Sequence, residues 1–336
     1  MRLIEQRFPR VSSKVFVGIG DDAAAISPSP SMLLLATTDS HVEGMHFLLD
    51  FISPRLLARR ALAASISDIG AMGGVPLYFL STIGFSERVD EAWLDELLSG
   101  FEEAQGEFGV ELVGGNLTSS PAIFMDTTSI GEVEPERLVR RRGASPGEGV
   151  FVSGTLGDSA LGLALLTERA APARKGTEEG KRLIRRHILP TPRLSLGREL
   201  ARAGIPTAMI DISDGLILDL GRITEAFGLG ADVIADKIPL SADYISLVGR
   251  DYKFALSGGE DYELLFTAPL NLESEIMAIA DAQGVGATLI GTVTASGSVR
   301  VQTKEGCELR VDVRGYVHKG VRQDRQTEGG KAPLHK

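Results

Sequence analysis

Residues 18–26 read GIGDDAAAI, a glycine-rich stretch that sets Asp21 and Asp22 side by side at the end of an apolar run. The spacing matches G-x-G-x-x-A, and Asp39 follows at about the ~20 residues at which a dinucleotide-binding fold carries its ribose-binding acid. That fold requires a helix directly after the glycines, so that the positive helix end receives a pyrophosphate. Here Pro28 and Pro30 interrupt the segment and a strand-like run, MLLLATTDS (32–40), comes next. The dinucleotide reading fails, and the paired acids need another explanation. Adjacent like charges persist either in a solvated turn or where something cationic relieves them.

The totals narrow the classes. At 336 residues the chain exceeds the ~250–300 at which one core usually divides, so two domains are expected. A net charge of -10 argues against non-specific binding to nucleic acid or anionic membranes, which takes a basic face. No apolar run reaches the roughly 18 residues needed to span a bilayer, and MRLIEQRFPR lacks the apolar centre of a signal peptide, so a cytoplasmic protein is expected. Cys307 is the single cysteine, which leaves no disulfide framework and no thiolate metal cluster. GTEEGKR (176–182) is no P-loop, because its spacing is wrong and Arg182 stands where Ser or Thr is required.

An arginine run followed by GASPGEG reads as a linker near residues 137–149, dividing the chain into about 1–142 and 143–320, with a frayed polar tail over 321–336. In the first half KVFVGIG and MLLLATTDS read as strands. Ser53-Pro54 starts a helix over about 54–71, a second helix runs over about 90–108 to Gly109, and VELVGGN and IFMDTTSIGEV are strands. The second half repeats the alternation: GVFVSGTLG as strand and loop, DSALGLALL as helix, and TAMIDISDG as strand and turn. A helix then carries Leu216, Leu220, Ile223 and Phe227 on one face. APARKGTEEGK (171–181) reads as a surface loop, and YKFALSGGEDYELLFTAP as loop and strand. The mixture indicates an α+β or α/β architecture.

Acids recur just after strands or at glycine-flanked helix ends: Asp21/Asp22, Asp39, Asp68, Asp211, Asp214 and Glu260/Asp261, with Asn116 in the corresponding place of VGGNLTSS. Strand ends are where such proteins gather ligands. Each acid alone has a bland reading as an Asx-turn, an N-cap or a solvated group. Asp68 is harder to dismiss, because it occupies the last turn of its helix, where the dipole disfavours an anion by up to ~1 kcal/mol. Oxygen donors with no cysteine cluster suit Mg²⁺ or Ca²⁺ rather than zinc, and several carboxylates sharing a cation with phosphates describe phosphoryl transfer.

Taken in order, GIGDDAA, TTDSHVEGMHF, SDIGAMGG, VGGNLTSS, DISDGL and SGGEDYELLFT closely resemble the thiamine-monophosphate kinase family, in the superfamily of aminoimidazole ribonucleotide synthetase. The resemblance spans about Val17 to His318. It implies a two-domain synthetase-like fold, with an N-terminal mixed-sheet domain that pairs in a homodimer and a C-terminal α/β domain. It further implies ATP-dependent phosphorylation of thiamine phosphate on a cluster of Mg²⁺ ions. By match to the family's motifs, Asp22, Thr37, Thr38, Asp39, Asp68, Asp211 and Asp214 would ligate metal, with Asn116 as an oxygen ligand. Gly115, Asn116, Arg141 and Ser213 would contact ATP, and His46, Glu260 and Tyr316 the thiamine. Two departures stand out: Asn116 where the family has Asp, and Val317-His318-Lys319 after Tyr316 where it has Asp-His-Phe.

The acceptor phosphate, with a second pKa near ~6, is already largely ionised at neutral pH, so no general base is required. Direct in-line transfer by positioning and charge neutralisation is expected. Selenophosphate synthetase is disfavoured, since it needs a reactive residue near the first glycine-rich loop and Cys307 is far along the chain. Another synthetase of the superfamily and a non-catalytic metal or nucleotide sensor remain as alternatives.

Overall fold

The computed structural model describes residues 4, 7–9, 11–309 and 315. It opens with a small antiparallel pair, β1 (Val15–Val17) and β2 (Ala25–Ile26). Gly20 turns between them at φ 111°, and the chain enters β2 with no intervening helix.

Next come β3 (Leu33–Val42), α1 (Pro54–Ala71), β4 (Val75–Phe85), α2 (Glu91–Phe108), β5 (Glu111–Ser119) and β6 (Phe124–Val133). The four longer strands form one sheet in the order β3-β6-β4-β5, in which only β4 and β5 run parallel. The caps expected from sequence are present. Ser53 accepts the Leu56 N–H ahead of Pro54, Asp90 accepts the Trp93 N–H at 2.8 Å, and Gly109 closes α2 in the left-handed region at φ 67°. The two helices pack Leu57, Leu62, Ile66, Leu97 and Phe101 against Phe79 of the sheet in one core. Strand β4 was not legible in the sequence, because VPLYFLSTIGF is apolar nearly throughout and alternates too weakly to separate strand from helix.

The second half contains β7 (Gly149–Ser153), α3 (Asp158–Leu166), α4 (Glu178–Ile188), α5 (Leu194–Ala203), β8 (Ala208–Asp211), α6 (Leu216–Ile223) and β9 (Gly230–Ile234). It continues with α7 (Ala242–Val248), α8 (Lys253–Ser257), β10 (Leu264–Ala268), α9 (Glu273–Ala282), β11 (Ala287–Thr294) and β12 (Val299–Gln302). Its sheet has the order β12-β9-β11-β7-β10-β8 and is antiparallel except where β12 meets β9. β7, β8 and β10 are buried along their whole length, which explains their unbroken apolar runs.

Three local expectations are corrected. The helix expected to reach Phe227 ends at Ile223 and passes into a 3₁₀ turn over Glu225–Phe227, so Leu216, Leu220 and Ile223 are buried while the Phe227 ring is exposed beneath Arg142. The polar insert is not loop throughout, because Thr177 caps α4 through the Gly180 N–H, 3.2 Å away, and the helix starts at Glu178. Within YKFALSGGEDYELLFTAP, Lys253–Ser257 is a short helix.

The halves meet across α1. Ala71 and Val139 join Leu196, Leu200, Met209 and Leu264 in a shared core. On α5, a methyl group placed on Gly197 would lie 2.1 Å from the Gly70 carbonyl oxygen, so the two helices touch backbone to backbone.

Candidate functional site

Helix α1 presents Arg60, Ala64, Ser67 and Asp68 at i, i+4, i+7 and i+8, which puts them on one face. That face looks into the junction between the sheets. The Thr37 hydroxyl on β3 donates to Asp68 Oδ2 at 2.6 Å, and the Ser67 hydroxyl donates to Asp211 Oδ2 at 2.6 Å across the halves.

The acids are electrostatically coupled. Burial, then Asp68 and Asp214, push the Asp39 carboxyl up to about 6. Burial, Asp68, Asp219 and Asp39 push Asp211 up to about 8, with the Ser67 hydroxyl opposing the rise. Four acids from distant motifs thus feel one another through a shared region. Arg222 pairs with Asp214 and Asp219, not with Asp39, Asp68 or Asp211. Among the described residues no three His, Cys, Asp or Glu side chains stand close enough to enclose an ion.

The turn DISDG has its own anchor, which the sequence did not reveal. Asp219, fully buried on α6, accepts the main-chain N–H groups of Ser213, Asp214 and Gly215 at 3.0–3.1 Å. Burial pushes its carboxyl up to about 6 against the pull of Arg222. Gly215 precedes the helix at φ 122°, so Asp214 is not the N-cap, and its carboxylate pairs with Arg222 instead.

A cavity of about 1120 Å³ opens between the halves. Its wall includes Thr38, Asp39, His46, Ser213, Asp214 and Glu260, all expected from sequence. Phe47, Phe51, Ile52, Leu163 and Leu166 supply an apolar part. Gly315 also lines the cavity and packs on the Asp214 carbonyl, whereas Tyr316 lies outside the described residues.

Glu260 does not stand alone. Its carboxylate pairs with the Arg60 guanidinium and lies 3.5 Å from His187 Nδ1. Burial works to raise its pKa, but Arg60, His187 and His41 outweigh this and hold it below the ordinary carboxylate value. Burial, and secondarily Arg60, lower His187 to about 4 and His41 to about 3, so both rings are neutral at neutral pH. Sequence reasoning missed Arg60, His187 and His41. The signal for Arg60 was its helical register with Asp68, two turns on.

Seven of the expected residues that the structure describes are not part of the cavity wall: Thr37, Asp68 and Asp211 join it through the hydrogen bonds and coupling above, and four others stand further apart. Asp22 is exposed in the turn after β1, Arg141 is exposed in the linker, and Gly115 and Asn116 are exposed on edge strand β5. Gly115 has a structural reason to be glycine, since its φ is 156° and a methyl there would meet the Ser81 carbonyl oxygen at 2.1 Å. Thr38 bonds Thr128 at 3.1 Å across β3 and β6.

The acidic region fits a hard divalent cation. Its donors are all oxygen, and Asp39 and Asp211 are raised first by burial and then by the neighbouring Asp68, a combination that a bound cation would relieve.

The family models that match are the AIR synthase related protein N-terminal domain over residues 20–133 and the C-terminal domain over residues 145–304. The thiamine-monophosphate kinase of Salmonella typhimurium is 39% identical over 322 residues, 94% of this chain and 97% of that protein. That of Bacillus subtilis is 35% identical over 94% of this chain and 98% of that protein. The crystal structure of thiamine-monophosphate kinase from Stenotrophomonas maltophilia K279a superposes with a TM-score of 0.81 at 31% identity, covering 92% of this chain and 96% of that one. AaThiL complexed with AMPPCP and TMP gives a TM-score of 0.72 at 34% identity, covering 91% and 94%. The hydrogenase maturation protein HypE of E. coli shares the fold, with a TM-score of 0.74 at 20% identity. With both domains matched in order and relatives aligned along nearly its whole length, this chain belongs to the thiamine-monophosphate kinase family of AIR synthase related proteins.

Proposed function

We propose that the protein transfers the γ-phosphoryl group of ATP to thiamine phosphate, forming thiamine diphosphate, by direct in-line displacement. The observation that carries the reading is the convergence of Asp39, Asp68, Asp211 and Asp214, from three separate motifs and both halves, beside one large cavity. Two phosphates bear like charge, so bringing them into contact requires a counter-charge that bare carboxylates do not supply.

Asp39, Asp68, Asp211 and Asp214, with Thr37, Thr38, Asp22 and Asn116 contributing oxygens, are the residues we assign to Mg²⁺. When bound, the cation neutralises and orients phosphate oxygens. The chain's own residues do the rest. Ser67 orients the Asp211 carboxylate, Thr37 orients Asp68, and Asp219 stiffens the turn that carries Ser213 and Asp214. Ser213, Gly115, Asn116 and Arg141 are assigned to ATP. His46, Glu260 and Tyr316 are assigned to thiamine, whose apolar ring edges suit Phe47, Phe51 and Ile52 in the same wall. No residue is assigned as general base, because the acceptor oxygen is already ionised.

The halves are read as an N-terminal domain, 1–142, and a C-terminal domain, 143–320, with 321–336 a tail; the family matches fall on either side of that boundary. A homodimer through the N-terminal domain is supported by exposed Phe16, Leu34 and Leu117 on that half. A cytoplasmic location agrees with the lack, among the described residues, of a helix long and apolar enough to cross a membrane.

The test is ADP release with and without thiamine phosphate at several Mg²⁺ concentrations. Turnover that depends on thiamine phosphate is expected. ATP hydrolysis indifferent to thiamine phosphate, or a phosphorylated protein accumulating on mixing with labelled ATP, sinks the mechanism.

A further inference from the structure

Arg60 is buried at 1% exposure in the middle of α1, and its two terminal nitrogens reach in different directions. One pairs with Glu260 and the other donates to the His187 main-chain carbonyl, so a residue of the first half grips two elements of the second. Its Nε has no partner among the described residues, which leaves the Glu260 carboxylate as its charge balance.

The loop it grips is strained. Glu260 and Tyr262 hold φ of 68° and 52°, in the left-handed region that residues with a Cβ adopt at a cost on the order of 1 kcal/mol or more each. The loop is fastened to the DISDG turn on its other side, through Glu260 N–H to the Ser213 carbonyl at 2.8 Å and Tyr262 N–H to the Ile212 carbonyl at 2.9 Å. A methyl on Gly259 would lie 2.2 Å from the Ser213 carbonyl, so loop and turn are in backbone contact. His187 continues the clamp, sharing its Nδ1 with the Ser159 hydroxyl at 3.1 Å.

We propose that Arg60 is a positioning residue for the thiamine half of the substrate: through Glu260 and the His187 carbonyl it fixes the strained Gly258–Tyr262 loop in the cavity wall. The pair leaves this wall near neutral overall, so Glu260 offers an oriented acceptor oxygen rather than a free counter-charge to the thiazolium. Arg60 itself touches neither the acids nor the nucleotide assignments, and the main-chain bond from Glu260 to Ser213 does not involve it, so its loss acts first on thiamine phosphate. This inference rests on the kinase reading above.

The experiment measures KM for thiamine phosphate and for ATP separately, with thermal melts, in Arg60→Gln, Arg60→Lys, Glu260→Gln and the double variant Arg60→Gln/Glu260→Gln. Arg60→Gln is expected to raise KM for thiamine phosphate at least tenfold while KM for ATP moves less than threefold. Arg60→Lys, which keeps the charge but has one nitrogen where the guanidinium uses two, recovers KM for thiamine phosphate only in part, to a value between those of Arg60→Gln and the parent. The double variant is expected to stay within tenfold of Glu260→Gln alone, because the Arg60–Glu260 link is already broken there and only the His187 carbonyl contact is lost besides. If Arg60→Gln is recovered unfolded, the double variant leaves no buried charge unpaired and carries the comparison. Equal rises in both KM values, or a double variant that loses a further tenfold over Glu260→Gln, overturns the assignment. A parent protein without turnover on thiamine phosphate overturns the kinase reading itself, a different failure.

Discussion

The Ser67 hydroxyl on α1 and the Asp211 carboxylate at the end of β8 are joined by a 2.6 Å hydrogen bond, a buried polar link between the two halves at the acidic site. A hydroxyl donated to a buried carboxylate lowers its pKa, and its removal strands an acceptor.

Ser67→Ala therefore costs about 1–3 kcal/mol of stability and raises the Mg²⁺ concentration needed for half-maximal rate at pH 7. Urea unfolding and a Mg²⁺ titration check both. An unchanged Mg²⁺ midpoint would show that the Ser67 bond does not prepare Asp211 for metal.

Asp68 raises the pKa of both Asp39 and Asp211, so its charge is a burden on the metal-free fold. Asp68→Asn keeps an acceptor for Thr37 and removes the repulsion. The melting point in EDTA is expected to rise, by about 2–4 °C for a relief of ~1 kcal/mol, while turnover falls by about two orders of magnitude or more. A variant less stable than the parent in EDTA contradicts the repulsion argument.

Stability in EDTA should fall with rising pH. Asp39 and Asp211 have folded values near 6 and 8 against an ordinary 3.8, so their contribution is full below the ordinary value and is lost as pH climbs through those higher values. The increment in melting point given by Mg²⁺ is accordingly larger at pH 8 than at pH 5.5. An increment independent of pH, measured by paired melts with and without the ion, refutes the coupling.

Asn116→Asp restores the negative charge found in the family motif. If residue 116 ligates metal, the variant reaches half-maximal rate at lower Mg²⁺. Residue 116 is exposed on edge strand β5, so a variant whose Mg²⁺ dependence matches the parent places it outside the coordination shell.

The parts of this site visible in the sequence were those whose chemistry is written locally. DISDG and SDIG each carry an acid at an element end, whereas Asp39 of TTDS, expected at a strand end, lies within β3, which continues to Val42. The parts that were hidden depend on burial. Arg60 stands beside Arg59 and reads as one of two surface arginines until the packing shows Arg59 half-buried and paired with Glu107 and Arg60 enclosed. Asp219, among leucines and isoleucines, has no local feature to announce that it gathers three N–H groups. In the fold, paired caps made α1 and α2 legible to the residue or nearly so. Helix α4 was half lost because its first turn, Glu178–Lys181, is wholly polar and resembles the insert before it.

The contact of Gly197 with the Gly70 carbonyl has a consequence for tolerance. Where two helices abut through their main chains, the offset between Asp68 and Asp211 is set by atoms every residue shares. Swapping one aliphatic side chain for another in the surrounding core can alter how firmly the halves adhere without retuning the gauge between those two acids. Only a Cβ at the abutment itself would reset it.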